Sequence, residues 1–577
     1  MKKYRSCIFI LLCFWSINCE SQSLEFIIDG VHNNPGEKSI ITKYSNPAYL
    51  QSQVFNSISP HWHICCAITY DNFSNKLIPE NTNERNWIEL NAKRIDSNLR
   101  ICKNTGIQVF PFADFLIFPK KIWQKYGDSM CALNLSIKKT GLYKPDIKRK
   151  YTQLLLRAQI AGIFDRFPLL DGIIIRFGET YLDDTPFHLG GSPVTNPEEQ
   201  IIFINILRDE ICVKRNKKLF YRTWDFGNAF HNNPDYYLKV TNSIEPHPNL
   251  IFSIKYQQGD FLRMTPFNPC LGIGKHQQII ESQSQMEVYG KGAHPYYSAL
   301  GVINGWPETK YEIDWSEASF TGKINDYKNP RGIKDILKTG LICGVNTWSR
   351  GGGWQGPYIE SEIWIDLNTY VVSHWAQHTS LSEEDLFNEF AKQKGFEGIN
   401  LDLFRQIAIL SIEAVRKGQC NSYTKNQLWW SRDEYFSVSD NQEVINSIIT
   451  KGLTEKVLAE KAESVAIWKQ IESLAKQISI EDTALQNAIR VSCIYGRIKY
   501  ELIEKMWQLM LIDAESNKLN SEKENVKKII KQYDELWSEW KALRKSSPYC
   551  ATLYTEMGFR NQNKGSIGEL VNKLRRL

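Results

Sequence analysis

Short β-prone runs alternate with amphipathic helical stretches between residue 24 and about residue 350. In the run 249–255, for example, a period of two places Leu250, Phe252 and Ile254 on one face, with Ser253 and Lys255 on the other. The same pattern predicts eight strands. They are residues 25–30, 63–70, 106–114, 171–177, 218–224, 249–255, 279–287 and 340–348.

The segments between these strands include amphipathic helices at 84–106, 147–167 and 197–215. Gly106 and Gly340 stand directly before predicted strands, where a glycine typically ends a helix. Eight strands alternating with helices predict an α/β fold of the (β/α)₈ TIM-barrel type. An open doubly wound sheet is the alternative, but no glycine-rich phosphate-binding sequence follows the first strand.

Beyond about residue 375 the strand pattern stops and long charged helices follow, which predicts an all-α C-terminal domain. We therefore expect a barrel over 23–375 and a helical domain over 376–577. Trp and Leu recur there at three- and four-residue spacing, as in a core or a homodimer interface. The predicted helices are 383–395, 402–418, 454–478, 482–518 and 523–546.

Charge and cysteine content exclude several classes of protein. The net charge of +6 arises from 70 basic and 64 acidic residues, and the basic residues form no stripe, so nucleic acid is not an expected partner. The 13 cysteines include no CxxC, which argues against a disulfide framework or a zinc site. His61 and His63 lack a third ligand at suitable spacing, so a turn leading into a strand is expected there. We expect neither a metal nor a cofactor.

Residues 1–22 have the pattern of an export signal. Basic Lys2, Lys3 and Arg5 precede an apolar run at 7–15, which is shorter than the roughly 20 residues that span a bilayer. Cys19 would carry the lipid of a bacterial lipoprotein, and the alternative is cleavage a few residues later. The protein is therefore expected to be secreted, periplasmic or anchored at the outer membrane.

Charged residues cluster near the carboxyl ends of the predicted strands, which is where a barrel carries its working residues. Three carboxylates and three cations belong to neighbouring strands. They are Glu179, Asp260, Glu287, Arg176, Arg222 and Lys255.

This combination suits cleavage of a glycosidic bond. One carboxyl group must be protonated to donate to the leaving oxygen, and another must stay ionised to activate water or attack the sugar. Arg and Lys bind a negatively charged substrate through charge-assisted hydrogen bonds. Aromatic side chains such as Trp224 and Trp348 would stack on a sugar ring, although each is also suited to the core.

Several blocks resemble the glycoside hydrolase family 67 α-glucuronidases. The sixth strand of that family reads roughly IKxGPxDF and the seventh QxxQEYxG, which here correspond to NLIFSIKYQQGDF at 249–261 and ESQSQMEVYGKGAHPYY at 281–297. The resemblance extends over about residues 25–395. Further matching blocks are 105–119, 169–179, 221–226 and 364–390.

This resemblance implies a barrel with a helical C-terminal domain that removes α-1,2-linked glucuronic acid, often 4-O-methylated, from xylan fragments with inversion. It implies that Glu179 is the general acid and that Asp260 and Glu287 act as, or share, the general base. It also implies that Lys255 and Arg222 hold the uronate.

The sequence departs from the family in four places. The barrel is expected to begin almost directly after the signal, without the family's preceding β-rich domain, and Gln257-Gln258-Gly259 replaces the Gly-Pro before the acid. Arg176 lies one position closer to Glu179 than the family's Lys, and the loop 349–362 after the eighth strand differs from the family's. The alternatives are therefore a related α-glycosidase with a different terminal sugar and a non-catalytic carbohydrate-binding barrel. A structural helical protein with a vestigial barrel is a further alternative.

Overall fold

The fold is given by a computed structural model. It describes residues 23–32, 42–74, 77–131, 144–176, 185–225, 229–259, 261, 263, 267–284, 292–306, 332–351, 358–424, 438, 441–515, 521–552 and 565–577. The predicted leader 1–22 and the three predicted catalytic residues, Glu179, Asp260 and Glu287, lie outside the described residues.

Most strands of the described residues belong to one parallel sheet. The strands are β1 Phe26–His32, β2 Ser57–Ile58, β3 Gln108–Val109, β4 Phe112–Asp114, β5 Ile117–Pro119, β6 Gly172–Arg176, β7 His188–Gly190, β8 Lys218–Arg222, β9 Leu250–Lys255, β10 Gln277–Gln283 and β11 Ile342–Gly351. Of these strands, β5 and β7 stand apart from the sheet as an antiparallel pair.

The sheet closes into a barrel because β3 and β4 are two segments of one stave. The strand order in the sheet is β3-β2-β1-β11-β10-β9-β8-β6-β4, so the two segments form its two ends. The amide of Phe112 donates to the carbonyl of Pro60 at 3.0 Å, and the amide of Ile174 donates to the carbonyl of Pro111 at 3.1 Å. The stave is therefore bonded on both sides, which confirms the predicted (β/α)₈ barrel.

Aromatic side chains fill the lower interior of the barrel. The rings of Phe26, Phe110 and Phe220 pack edge to face, with centroids 4.8 to 6.0 Å apart, and all three are buried. Phe110 and Phe220 come two residues before Phe112 and Arg222, so the three rings form the layer beneath those side chains.

Helices flank the barrel and build the C-terminal region. Along the barrel these are α1 Pro47–Ser52, α2 Asn83–Asn104, α3 Lys120–Met130, α4 Lys150–Arg166, α5 Pro197–Leu207, α6 Pro234–Thr241, α7 Ser298–Asn304, α8 Ile333–Ile336 and α9 Ile363–Gln377. The later ones are α10 Glu383–Gln393, α11 Gly398–Gln419, α12 Gln442–Thr450, α13 Thr454–Gln477, α14 Thr483–Ala514, α15 Lys523–Ser546 and α16 Ile567–Leu574. Among the described helices none has the length and apolarity needed to cross a membrane.

The helix ends follow the local sequence signals. The Thr82 side chain accepts a hydrogen bond from the amide of Arg85 and so caps the start of α2. Gly106 (φ 76°) and Gly340 (φ 70°) adopt the left-handed conformation that a side chain would strain. All predicted helices are confirmed, and most agree to within a few residues. The predicted 197–215 helix is α5 followed by a π-helix at Arg208–Val213, and residues 516–518 of the predicted 482–518 helix lie outside the described residues.

The predicted strand at 63–70 is wrong. The second stave is the short β2, five residues earlier, and Ile64–Cys66 forms a 3₁₀ helix instead. Ile64, Cys65 and Cys66 are buried in succession, and a short fully buried run has no period that separates strand from helix. His63 begins this 3₁₀ helix in the left-handed region at φ 50°, so the expected turn is present but does not lead into a strand.

Candidate active site

The carboxyl ends of the parallel strands bring the five described site residues to one mouth of the barrel. Arg176, Arg222 and Lys255 are the last residues of β6, β8 and β9, Trp224 follows β8 by two residues, and Trp348 lies near the end of β11. The strands β6, β8, β9, β10 and β11 are consecutive neighbours in the sheet. The predicted convergence of positive charge and aromatic rings is therefore present.

Arg222 is paired with a buried glutamate that the sequence analysis did not single out. Its Nε donates to Glu281 Oε1 at 2.8 Å and Oε2 at 2.9 Å, and Ser253 Oγ donates to the same carboxylate at 2.8 Å. Glu281 is 0% exposed and Arg222 3%. A charge-assisted pair of this kind holds the guanidinium in one orientation beneath the mouth.

Arg176 is paired with a different carboxylate, Asp114, on the adjacent stave. The register of β4 and β6 sets the two residues opposite each other. Nε of Arg176 donates to Asp114 Oδ1 at 2.7 Å, and Nη2 donates to Oδ2, so the pair is bidentate. Both residues are buried.

Lys255 lies between aromatic rings. Its Nζ is 3.8 Å from the ring centroid of Trp224 and 4.6 Å from that of Phe261, and the residue is 1% exposed. The negative face of an aromatic ring attracts a cation, more strongly where water is excluded. The geometry therefore keeps a desolvated ammonium group at the carboxyl end of β9.

The aromatic lining continues from Lys255 to Arg222. The ring of Phe261 lies 6.3 Å from Trp348, and the guanidinium of Arg222 lies 4.8 Å from the centroid of Trp348 and 5.7 Å from that of Phe112. The two cations therefore border one continuous surface of rings. Such a surface suits the apolar face of a sugar, while the charges suit its acidic groups.

A buried histidine fixes the ring of Trp224. The His231 ring packs edge to face on Trp224 with centroids 5.0 Å apart. Its Nε2 donates to the carbonyl of Gln257 at 3.1 Å, and the Thr223 hydroxyl donates to its Nδ1 at 3.0 Å. Because both ring nitrogens are engaged, the imidazole holds one position behind the ring that covers Lys255.

Burial raises the pKa of two other carboxyl groups of the barrel, one in strand β1 and one shortly after the end of strand β8. The pKa of Asp225, next to Trp224, is raised to about 6, while the amide of Phe230 donates to it and opposes the shift. The pKa of Asp29 in β1 is raised to about 7, against hydrogen bonds from Ser349 and Thr347. Both carboxyl groups therefore titrate near neutral pH.

The three predicted catalytic carboxylates, Glu179, Asp260 and Glu287, lie outside the described residues. The described residues closest to them in the chain belong to the mouth. Arg176 precedes Glu179 by three residues, Phe261 directly follows Asp260, and Ser284 precedes Glu287 by three residues. In the described part of the chain, no group of three or more His, Cys, Asp or Glu side chains is placed to hold a metal ion.

Asp114, Glu281 and His231 are the residues at the mouth that the sequence analysis missed. A signal existed for the first two. Asp114 is the last residue of the predicted strand 106–114, and Glu281 follows two isoleucines at the start of the predicted strand 279–287. For His231, in a loop after β8, the sequence holds no comparable signal.

No protein-family model matches the chain, and no curated protein matches it in sequence. Solved structures do resemble it. One is a GH138 enzyme targeting pectin rhamnogalacturonan II, with a TM-score of 0.55 at 11% identity over 96% of this chain and 67% of that one.

Two further solved structures have lower similarity. An O-GlcNAc hydrolase mutant of Thermobaculum terrenum has a TM-score of 0.36 at 10% identity, over 96% of this chain and 93% of that one. A Flavobacterium johnsoniae chitobiase has a TM-score of 0.34 at 14% identity, over 88% and 75%. The chain thus has a fold that occurs among glycoside hydrolases, as the likeness to the GH138 enzyme shows.

Proposed function

We propose that this protein is an exported glycoside hydrolase that releases a terminal uronic acid, glucuronic or 4-O-methylglucuronic, from plant-type oligosaccharides. The observation that carries the proposal is the buried ammonium of Lys255 between the rings of Trp224 and Phe261 at the barrel mouth. A ring surface next to a desolvated cation complements a sugar that carries a carboxylate.

The cations at the mouth support an anionic ligand. The guanidinium groups of Arg176 and Arg222 are held in place by Asp114 and Glu281, and the ammonium group of Lys255 lies against aromatic rings. We assign to the two arginines the role of a fixed positive charge beside the ligand. We assign to Lys255 the direct contact with the carboxylate of the uronate. This revises the role that the α-glucuronidase resemblance implies for Arg222, which shares its Nε with Glu281.

The proposed reaction is an inverting hydrolysis. Glu179 would donate a proton to the leaving oxygen, and Asp260 and Glu287 would act as, or share, the base that activates a water molecule. Inversion requires an acid and a base roughly 6.5–9.5 Å apart. The matching family motifs around these three residues support the assignment.

A related glycosidase with a different terminal sugar is the second candidate. Gln257-Gln258-Gly259 replaces the family's Gly-Pro, and the structure with a TM-score of 0.55 is named for an enzyme targeting pectin rhamnogalacturonan II. Pectin oligosaccharides therefore belong in the substrate panel alongside xylan fragments.

The proposal is tested by incubating the protein with aldouronic acids and uronate-capped pectin oligosaccharides and measuring free uronic acid. Release of uronic acid from at least one of them, and none from neutral counterparts, is expected. Release of only neutral sugars would favour the second candidate, and no release of uronic acid from any of them would refute the proposed uronidase activity.

A further inference from the structure

A groove lies beside the barrel mouth, between the carboxyl ends of β1 and β2 and the outer helix α2. Its cavity has a volume of about 380 Å³, within the roughly 300–1,000 Å³ of small-molecule sites. We call it the β1–β2 groove. The side chains that line it include Tyr44, His61, Trp62, His63, Asn98 and Ile101.

The chemistry of this lining differs from that of the mouth. None of the described side chains that line the β1–β2 groove is an Asp, Glu, Lys or Arg. Aromatic rings share the lining with aliphatic side chains such as Ile58 and with uncharged hydrogen-bonding groups such as Ser45 and Asn98. That combination suits a neutral sugar, whose ring carries an apolar face and a rim of hydroxyls.

The walls of the groove are fixed by bonds outside it. The Tyr44 hydroxyl donates to Asp366 Oδ1 at 2.8 Å, and Arg94 donates to the carbonyl of Trp62 at 3.3 Å. The left-handed conformation of His63, at φ 50° and ψ 47°, reverses the chain and brings the rings of His61 and His63 within 4.9 Å of each other. A preformed wall binds a ligand with little ordering cost.

His61 connects the lining of the groove to the rings at the mouth. Its ring packs edge to face on Phe112 at 6.3 Å, and Phe112 lies 5.5 Å from Trp348, the ring above Arg222. One edge of the groove is therefore two ring contacts away from the aromatic rings beside the cations at the mouth.

We infer that the β1–β2 groove is a second subsite, which binds neutral sugar residues on the leaving-group side of the scissile bond. The inference rests on the proposed function, because a leaving group exists only if the mouth hydrolyses a glycoside. It extends that function by assigning the neutral sugars of the leaving group to the β1–β2 groove.

The test compares two substrates and three variants. Methyl α-glucuronide has a leaving group too small to reach the groove, whereas a glucuronate-capped xylotriose reaches it. Trp62→Ala removes an aromatic wall, and Ile101→Glu places a charge on a side chain that is 51% exposed, so folding is preserved. Leu90→Glu, at a 66% exposed position on the same helix but outside the groove, is the matched control.

We expect the ratio of kcat/KM for the capped xylotriose to that for the methyl glycoside to fall about tenfold in Trp62→Ala, and to fall in Ile101→Glu. The ratio should not change in Leu90→Glu. Saturation-transfer NMR with free xylotriose provides a readout without turnover. Its signal should be present in the wild type and in Leu90→Glu, and weak in both groove variants.

The outcomes separate the two proposals. Hydrolysis with unchanged ratios and an unchanged xylotriose signal in both groove variants would overturn the subsite and leave the hydrolase standing. If the wild type hydrolyses neither substrate while the xylotriose signal still depends on Trp62 and Ile101, the groove is a neutral-sugar site and the hydrolase is refuted.

Discussion

Arg222 and Glu281 form a buried ion pair across two staves of the barrel, with the Nε of Arg222 2.8 Å and 2.9 Å from the two carboxylate oxygens. The strand β9 lies between β8 and β10, and its Ser253 donates a third hydrogen bond to Glu281. This pair links three neighbouring staves directly under the mouth, so its loss should affect both stability and binding.

Glu281→Ala should lower the free energy of unfolding by about 3–5 kcal/mol, because it leaves the buried guanidinium of Arg222 without its carboxylate partner. Denaturant unfolding followed by circular dichroism measures the change. The double variant Arg222→Met, Glu281→Leu removes both charges and should recover much of the loss. A cost below about 1 kcal/mol for the single variant would contradict a buried, mutually dependent pair.

Lys255→Met should weaken uronate-bearing substrates far more than neutral ones. Met keeps an unbranched apolar side chain between Trp224 and Phe261 but removes the charge. We expect KM for an aldouronic acid to rise about tenfold or more, the size of a lost charge-assisted hydrogen bond. Lys239→Met, at an exposed position on α6, is the control. An equal loss for acidic and neutral ligands would remove Lys255 from the recognition of the uronate.

Glu179→Gln should abolish turnover while sugar binding remains, because Gln cannot donate the proton that the leaving oxygen needs. Calorimetric titration with an aldouronic acid measures binding, and the release of uronic acid measures turnover. An unchanged rate would exclude Glu179 as the acid. In the wild type, proton NMR of the first product should show the inverted anomer, and a retained anomer would contradict the proposed mechanism.

Asp29 predicts a pH dependence of stability. Burial raises its pKa from 3.8 to about 7, so the folded protein holds the proton more tightly than the unfolded chain. The stabilisation from this proton is complete below about pH 3.8 and is lost as the pH rises to about 7. Asp29→Asn stays neutral and should exceed the wild type in stability above pH 7, by on the order of 4 kcal/mol.

Unfolding at pH 4 and pH 8 tests this effect. The difference between Asp29→Asn and the wild type should be large at pH 8 and nearly absent at pH 4. Asp128→Asn, at an exposed position on α3, should show no such change. A variant that is less stable than the wild type at both values would contradict the neutral, buried carboxyl group.

The cysteines should resist thiol reagents in the folded protein. Ten described cysteines are free and buried, and burial raises the pKa of Cys65, Cys66 and Cys270 well above the usual range. A protein that begins at residue 23 should therefore react slowly with a disulfide reagent, and should show these ten thiols once denatured. Leu90→Cys, at a 66% exposed site, should react at once. Rapid reaction of several native thiols would contradict the buried placement.

The barrel could be predicted because a stave with a clear period of two, or with a long apolar run, is recognisable from its local sequence. The stave at 249–255 is an example, observed as Leu250–Lys255. The second stave could not be predicted, since β2 has two residues and its neighbour Ile64–Cys66 is buried throughout. Its place depends on pairing with β1 and β3, which are distant in sequence.

The same limit applies to the mouth. Arg176, Arg222 and Lys255 could be assigned to it because each ends a strand. Their partners could not, because the contact between Arg222 and Glu281 spans 59 positions and depends on the order of β8, β9 and β10 in the sheet. The position of a charged residue at the end of a strand therefore predicted where each cation lies. The order and register of the strands in the sheet determine which carboxylate each arginine pairs with.

The ring layer of Phe26, Phe110 and Phe220 closes the interior of the barrel on the side opposite the mouth. Its rings are buried and lie one layer below Phe112 and Arg222. A monosaccharide freed at the mouth would then have to depart through the entrance that admitted it, past any chain still seated outside. The remaining oligosaccharide would therefore have to dissociate first, and the order of product release would depend on how tightly the protein binds each of the two products.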